Sequence, residues 1–199
     1  TDATGTNTTT FVYTGGCACG KPGKVINPDG SYKLSEYDSL GNTTRTVNEL
    51  GAETLSSYDA NGKLLWTRDP LSNYTRLFYS GPLLTNVVDA LGRNTRYEYD
   101  ALNRTNKIID AEGGVVEFRY DNNGNRTHVI DAVTNVTTFI YDAGNRLVQQ
   151  IDPLGHTNFF AYDAAGSRTE AIDRNGRRRT FTYDAANRMT NELWWEGTN

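Results

Sequence analysis

The stretch FIYDAGNRLVQQIDPLGHTNFFAYD, Phe139 to Asp163, opens on Phe-Ile-Tyr-Asp and arrives 21 residues later at Phe-Ala-Tyr-Asp. A tyrosine closing an apolar or Thr-rich run stands at Tyr37, Tyr58, Tyr79, Tyr99, Tyr120, Tyr141, Tyr162 and Tyr183, always 21 residues apart except for one step of 20. All but Tyr79 are followed by Asp. Tyr13 closes TTFVY in the same way 24 residues before Tyr37, which makes it an earlier copy with three extra residues. A fixed period of this kind is the mark of a repeat array and takes precedence over any local motif.

Each copy reads as strand, turn, strand, turn. Two residues before the tyrosines stand Phe11, Leu77, Tyr97, Phe118, Phe139, Phe160 and Phe181, with Ser35 and Ser56 as exceptions. The side-chain period of a strand is two, so these residues share a sheet face with the tyrosines. After Tyr-Asp and two more residues comes Gly41, Gly62, Asn103, Gly124, Asn145, Gly166 or Asn187. Gly and Asn tolerate positive φ best, so this offset marks a left-handed turn position, with Asp supplying a side-chain acceptor at the turn start. A second reversal follows at Asp69-Pro70-Leu71-Ser72, Asp110 to Gly113, Asp152-Pro153-Leu154-Gly155 and Asp173 to Gly176, which is type I turn chemistry. An apolar residue (Val47, Ile109, Ile130, Ile151, Ile172, Leu193) stands just before most such reversals.

Composition agrees. Twelve Tyr and 19 Gly beside one Met favour strands and reversals over helices. The expected fold is all-β: antiparallel hairpins of about 21 residues arrayed edge to edge in one long, coiling sheet of about sixteen strands, since open sheets beyond about ten strands tend to curl. The whole chain, 1–199, is expected to be one array, with an irregular segment at 14–24, regular copies over 25–193 and a partial copy to 199.

At these residues the sequence resembles the RHS/YD repeat family, whose pattern is Tyr-Asp, a Gly/Asn turn with a polar or basic residue after it, and Asp-Pro-x-Gly about ten residues on. YDAGNRLVQQIDPLG, Tyr141 to Gly155, carries that pattern, and the resemblance extends from Phe11 to Arg188. It implies hairpin arrays that spiral into a hollow shell, found in bacterial polymorphic toxins, insecticidal toxin complexes and the extracellular teneurins. The bacterial shells enclose a C-terminal toxin. The expected role is a non-enzymatic wall segment of a larger secreted or surface protein that encloses or displays cargo. The alternative is an extracellular adhesion or filament module polymerising through its terminal strands. Its partners are then neighbouring copies of the parent protein, an enclosed toxin domain, or identical chains joined by strand pairing. The chain begins at TDATGTNTTT and stops in mid-copy, as part of something longer would, and it carries no RHS core segment.

Other functions find little support in the residues. A formal charge of −4 offers no general attraction for nucleic acid or anionic lipid. Arg177-Arg178-Arg179 reads as a solvated strand edge, since charge there blocks unwanted strand pairing. No apolar run approaches the roughly 20 residues a membrane helix needs. The recurring aspartates are equivalent by repetition, whereas acid-base catalysis needs one pair driven to divergent pKa values. His128 and His156 are isolated. No cofactor is expected. Cys17 and Cys19 in GGCACGKPG are the only metal candidates, two ligands where structural zinc needs four. They read as reduced structural cysteines, a strained mutual disulfide, or half of a site completed elsewhere. Asn7, Asn42, Asn73, Asn103, Asn125 and Asn135 each head an Asn-x-Thr triplet, a consequence of turn-rich composition unless the source glycosylates secreted proteins. Trp194 and Trp195, adjacent on a strand, point to opposite faces, so that one of them meets another copy or a partner.

Overall fold

The computed structural model describes residues 7–13 and 20–195; Cys17 and Cys19 lie outside them. Every regular element among the described residues is a strand. The chain divides into two units, one ending at Arg96 and one beginning at Tyr97. The first holds β1 (Thr10–Val12), β2 (Lys24–Ile26), β3 (Tyr32–Tyr37), β4 (Thr43–Val47), β5 (Glu53–Tyr58), β6 (Leu64–Arg68), β7 (Tyr74–Ser80), β8 (Leu83–Val88) and the start of β9 (Asn94–Tyr99). The second holds the end of β9, then β10 (Thr105–Ile109), β11 (Val115–Tyr120), β12 (Arg126–Ile130), β13 (Val136–Tyr141), β14 (Leu147–Ile151), β15 (Thr157–Tyr162), β16 (Arg168–Ile172), β17 (Arg178–Tyr183) and β18 (Met189–Trp195). The all-β antiparallel expectation holds. The strands number two more than sixteen because the irregular first copy supplies β1 and β2.

Within each unit every strand pairs antiparallel with its neighbours in sequence, as β11 does with β12 and β12 with β13. Within each unit strands touch only these neighbours, so no strand of a unit lies over that unit's own sheet. Among the described residues only Ala171, Phe181, Ser167 and the glycines Gly23 and Gly41 are buried. Apolar side chains are therefore sheltered by lateral neighbours on the same face and not by a second layer.

The tyrosines and the residues two before them share one face, the tyrosine face. Arg126 sits there between the rings of Phe118 and Phe139, 5.5 and 5.7 Å from their centroids. Arg168 sits likewise between Phe160 and Phe181 at 5.9 and 5.0 Å. Such cation–ring stacking lets an arginine belong to an otherwise apolar row.

The two kinds of reversal turn out to be one device. At Asp142, its backbone N–H bonds the Arg146 carbonyl at 3.0 Å and its carbonyl accepts from Asn145 N–H at 3.0 Å, with Asn145 at φ 60°. At Asp152 the same bonds run to His156 and Gly155, both 2.9 Å, with Gly155 at φ 84°. The positive-φ residues are the ones the spacing indicates, with one costly exception. Thr134 occupies the position at φ 69°, where a β-branched residue is strained. Thr134→Gly should stabilise the chain by about 1 kcal/mol, and Gly155→Val should cost about 1–2 kcal/mol. A Cβ at Gly155 meets open space, so conformation alone sets that cost. Urea unfolding reads both, and equal midpoints for all three chains would refute the turn assignment.

Candidate functional site

The feature repeated most faithfully is the Tyr-Asp turn, and its geometry shows what each residue does. The Asp100 carboxylate accepts from the N–H groups of Leu102 and Arg104 through Oδ1, at 2.9 and 3.0 Å, and from Arg104 Nε through Oδ2 at 2.7 Å. Asp121 holds Asn123, Asn125 and the Asn125 side chain in the same way, each at 2.9 Å. Hydrogen bonds to the charged form keep these carboxyls below their ordinary value. At Asp100, Asp142 and Asp184 the leading cause is the backbone N–H of Arg104, Arg146 and Arg188. At Asp38, Asp121 and Asp131 it is the side-chain amide of Asn42, Asn125 and Asn135.

The tyrosine couples one hairpin to the hairpin before it. In the hairpins of Tyr37, Tyr58, Tyr79, Tyr120, Tyr141, Tyr162 and Tyr183 the return strand carries a bulge: Arg119 faces His128 but Tyr120 faces Arg126, leaving Thr127 out of the ladder. Its hydroxyl donates to the Arg119 carbonyl at 3.2 Å. The ladder between β10 and β11 begins only at Lys107 and Glu117, so the carbonyl of Thr105 lies beyond it. The Tyr120 hydroxyl donates to that carbonyl at 2.8 Å. The same bond runs from Tyr162 to Leu147 at 2.9 Å, from Tyr183 to Arg168 at 2.9 Å and from Tyr79 to Leu64 at 2.9 Å. Beside it the strands part into a notch of about 510 Å³, lined in part by Asn106, Lys107, Glu117 and Tyr120. Tyr162→Phe should cost about 1 kcal/mol by stranding the Leu147 carbonyl. Tyr58→Phe, whose hydroxyl has no such bond, should cost less, and equal losses in thermal melts would remove the coupling role.

A second link was missed in the sequence. The residue five after Tyr58, Tyr99, Tyr120, Tyr141 and Tyr162 reaches the following copy. Arg104 lies 4.4 Å over the Tyr120 ring and bonds the Asp121 carbonyl at 3.4 Å. Arg146 lies 5.0 Å over Tyr162 and bonds the Asp163 carbonyl at 2.7 Å. Lys63 does the same with Tyr79 and the Gly81 carbonyl. In the intervening copies the position is short and polar: Asn125 bonds the Asn145 side chain at 2.8 Å, and Ser167 bonds that of Asn187. Long cation and short polar side chain alternate, with Leu84 after Tyr79 as the exception, so the contacts repeat every two copies. The signal was legible, since counting five residues on from each tyrosine displays the alternation.

The remaining candidates fall outside this ladder. Arg177, Arg178 and Arg179 are each paired with an acid, Asp173, Glu170 and Glu192, so the basic run is a set of ion pairs. His156 Nδ1 lies 3.0 Å from Asp152 and His128 Nδ1 lies 3.0 Å from Thr127 Oγ1. Trp194 and Trp195 take opposite faces, against Arg179 at 4.9 Å and Arg178 at 5.9 Å. Among the described residues no cluster of three or more His, Cys, Asp and Glu could hold a metal. No helix of the described chain is long and apolar enough to cross a membrane.

Comparison with solved structures finds the same fold in a crystal structure of TcdB2-TccC3-TEV, with a TM-score of 0.64 and 16% identity over 89% of this chain and 11% of that one. A Photorhabdus luminescens Tc holotoxin pore carrying a TccC3 mutation matches with a TM-score of 0.51 and 13% identity, over 88% of this chain and 12% of that one. This chain thus spans about a tenth of the proteins it resembles. Comparison with curated proteins finds no match. The family model described as RHS Repeat matches residues 80–115, 120–157 and 162–193. With its hairpins, turn aspartates and coupling tyrosines in that periodic register, the chain belongs to the RHS repeat family.

Proposed function

We propose that this chain is a non-enzymatic wall segment of a larger secreted or surface-delivered protein, in which the array encloses or displays a toxin or other cargo. The observation that carries this reading is the use of the most repeated residues. Aspartate is spent on holding its own turn, and tyrosine and the residue five after it on joining one hairpin to the next. The aspartates are held ionised by their turns, the opposite of the raised pKa that a general acid needs. Likeness to Tc toxin structures supports the fold of such a wall.

The test is limited proteolysis and electron microscopy of the native polypeptide that carries this chain. An enclosing wall leaves an interior segment uncut until the array is opened by acid or denaturant. Cleavage of all other segments while the array stays folded would overturn enclosure. Asp142→Asn should leave any activity of that polypeptide intact, and complete loss in a folded variant would overturn the non-catalytic reading.

A further inference from the structure

The face opposite the tyrosines carries residues that the coupling ladder does not use, and on β6 and β7 three of these are aromatic. Trp66 holds a position occupied elsewhere by Arg45, Asn86, Lys107, His128, Gln149 and Glu170. Tyr74 replaces residues such as Glu53 and Asn94, and Phe78, 48% exposed, replaces Ser57, Glu98 and Arg119. Single aromatics stand on this face elsewhere, Tyr32 at 44% and Phe159 at 43% exposure, but three on one strand pair are not required by an array whose other copies fold without them. Clustered exposure of this sort marks contact with something else.

The geometry restricts what that is. The Trp66 and Tyr74 rings lie 5.4 Å apart at 59°, forming a corner in place of a flat platform. Arg76, directly opposite Trp66, holds its guanidinium 5.1 Å over the Tyr74 ring. Arg96 stands two strands away, about 10 Å in the pairing direction, facing Asn86, which itself faces Phe78. Asn86 donates to Asn94 at 3.1 Å, which leaves its carbonyl oxygen as an acceptor. Arg76 and Arg96 are exposed and have no acidic partner among the described residues, whereas Glu53 nearby is already held by Arg45 and Arg68 at 2.6 and 2.8 Å. The patch is therefore positive on a chain of net charge −4.

We infer that this patch binds an acidic glycan, an oligosaccharide with carboxylates on alternate rings. A pyranose ring presents an apolar face to the Trp66–Tyr74 corner, its hydroxyls meet Asn86, and sparse carboxylates meet Arg76 and Arg96 with charge-assisted hydrogen bonds. Single-stranded nucleic acid fits less well. Successive bases stack on aligned rings, not a corner, and a phosphate at every step meets only two unpaired cations on an acidic chain. The inference stands independently of the enclosing role.

The probe is a hexasaccharide of alternating glucuronic acid and N-acetylglucosamine, titrated calorimetrically into the chain. Saturable binding is expected, weakened severalfold by added salt. Arg76→Ala, Arg96→Ala and Trp66→Ala should each weaken it about tenfold, Trp66→Phe much less, and Arg174→Ala not at all. Circular dichroism confirms that each variant is folded. Absence of binding, equal binding of a neutral N-acetylglucosamine hexamer, tighter binding of oligo-dT, or binding unchanged in folded Trp66→Ala would each overturn the assignment.

Discussion

On acidification the melting temperature of this chain should fall steeply once the pH drops through the ordinary aspartate value of 3.8. The sign follows from the direction of the shifts. The turn carboxyls are held below their unfolded value, as at Asp38, Asp100, Asp121, Asp131, Asp142 and Asp184. A depressed pKa contributes stability that is complete above the unfolded value, begins to go as pH falls through it, and is gone below the folded value. Each turn contributes little, because the groups are at the surface, but the turns act in series along the array. The chain contains its own control. At the turn after β4, Asn48 occupies the aspartate position and its side-chain oxygen accepts from Leu50 and Ala52 N–H at 3.0 and 2.9 Å. An amide has no proton to gain here. In an NMR titration the Leu102 and Arg104 amides should shift with acid while Leu50 and Ala52 stay in place until global unfolding. Equal movement at both turns would refute the carboxylate account.

Phe181→Ala should be the most damaging single truncation, costing about 3–5 kcal/mol. Phe181 is 7% exposed, with the Arg168 guanidinium 5.0 Å and the Arg179 guanidinium 6.0 Å over its ring. Removing the ring takes an apolar surface from both arginines and opens a space beside Ala171, which is 3% exposed. Phe78→Ala on the opposite face, with 48% exposure, should cost under about 1 kcal/mol. Urea midpoints at constant m-value separate the two. A loss at Phe181 no larger than at Phe78 would mean that the tyrosine face is not where the array stores its packing energy.

Much of this was legible in the residues because the repeat supplies its own alignment. Period two placed Phe118 and Tyr120 on one face, and the Gly/Asn offset located positive φ at Asn103, Gly124 and Asn145. Even the step of 20 has a visible cause: Gly81-Pro82 closes a tight turn in which Ser80 faces Leu83, one residue shorter than its counterparts. Less legible was the unity of the two reversals. Pro153 and Gly155 suggested turn chemistry of their own, while the structure gives Asp152 the same carboxylate role as Asp142. The aromatic patch was hidden for a different reason. Trp66, Tyr74 and Phe78 lie on two strands, and only strand pairing brings their side chains together.

The sequence by itself determined the hairpin, its period, its turns and its faces, because all of these follow from backbone preference and side-chain alternation within a few residues. The offset from tyrosine already separates Arg126 from Arg146; tertiary structure alone decided what each cation meets. Gly124-Asn125-Arg126 and Gly144-Asn145-Arg146 are the same tripeptide, yet the left-handed residue is Gly124 in one and Asn145 in the other. That shift of one residue sends Arg126 between Phe118 and Phe139, and Arg146 onto Tyr162 and the Asp163 carbonyl. In a sheet one step along the chain reverses the direction of a side chain, and what it then meets belongs to the neighbouring hairpin.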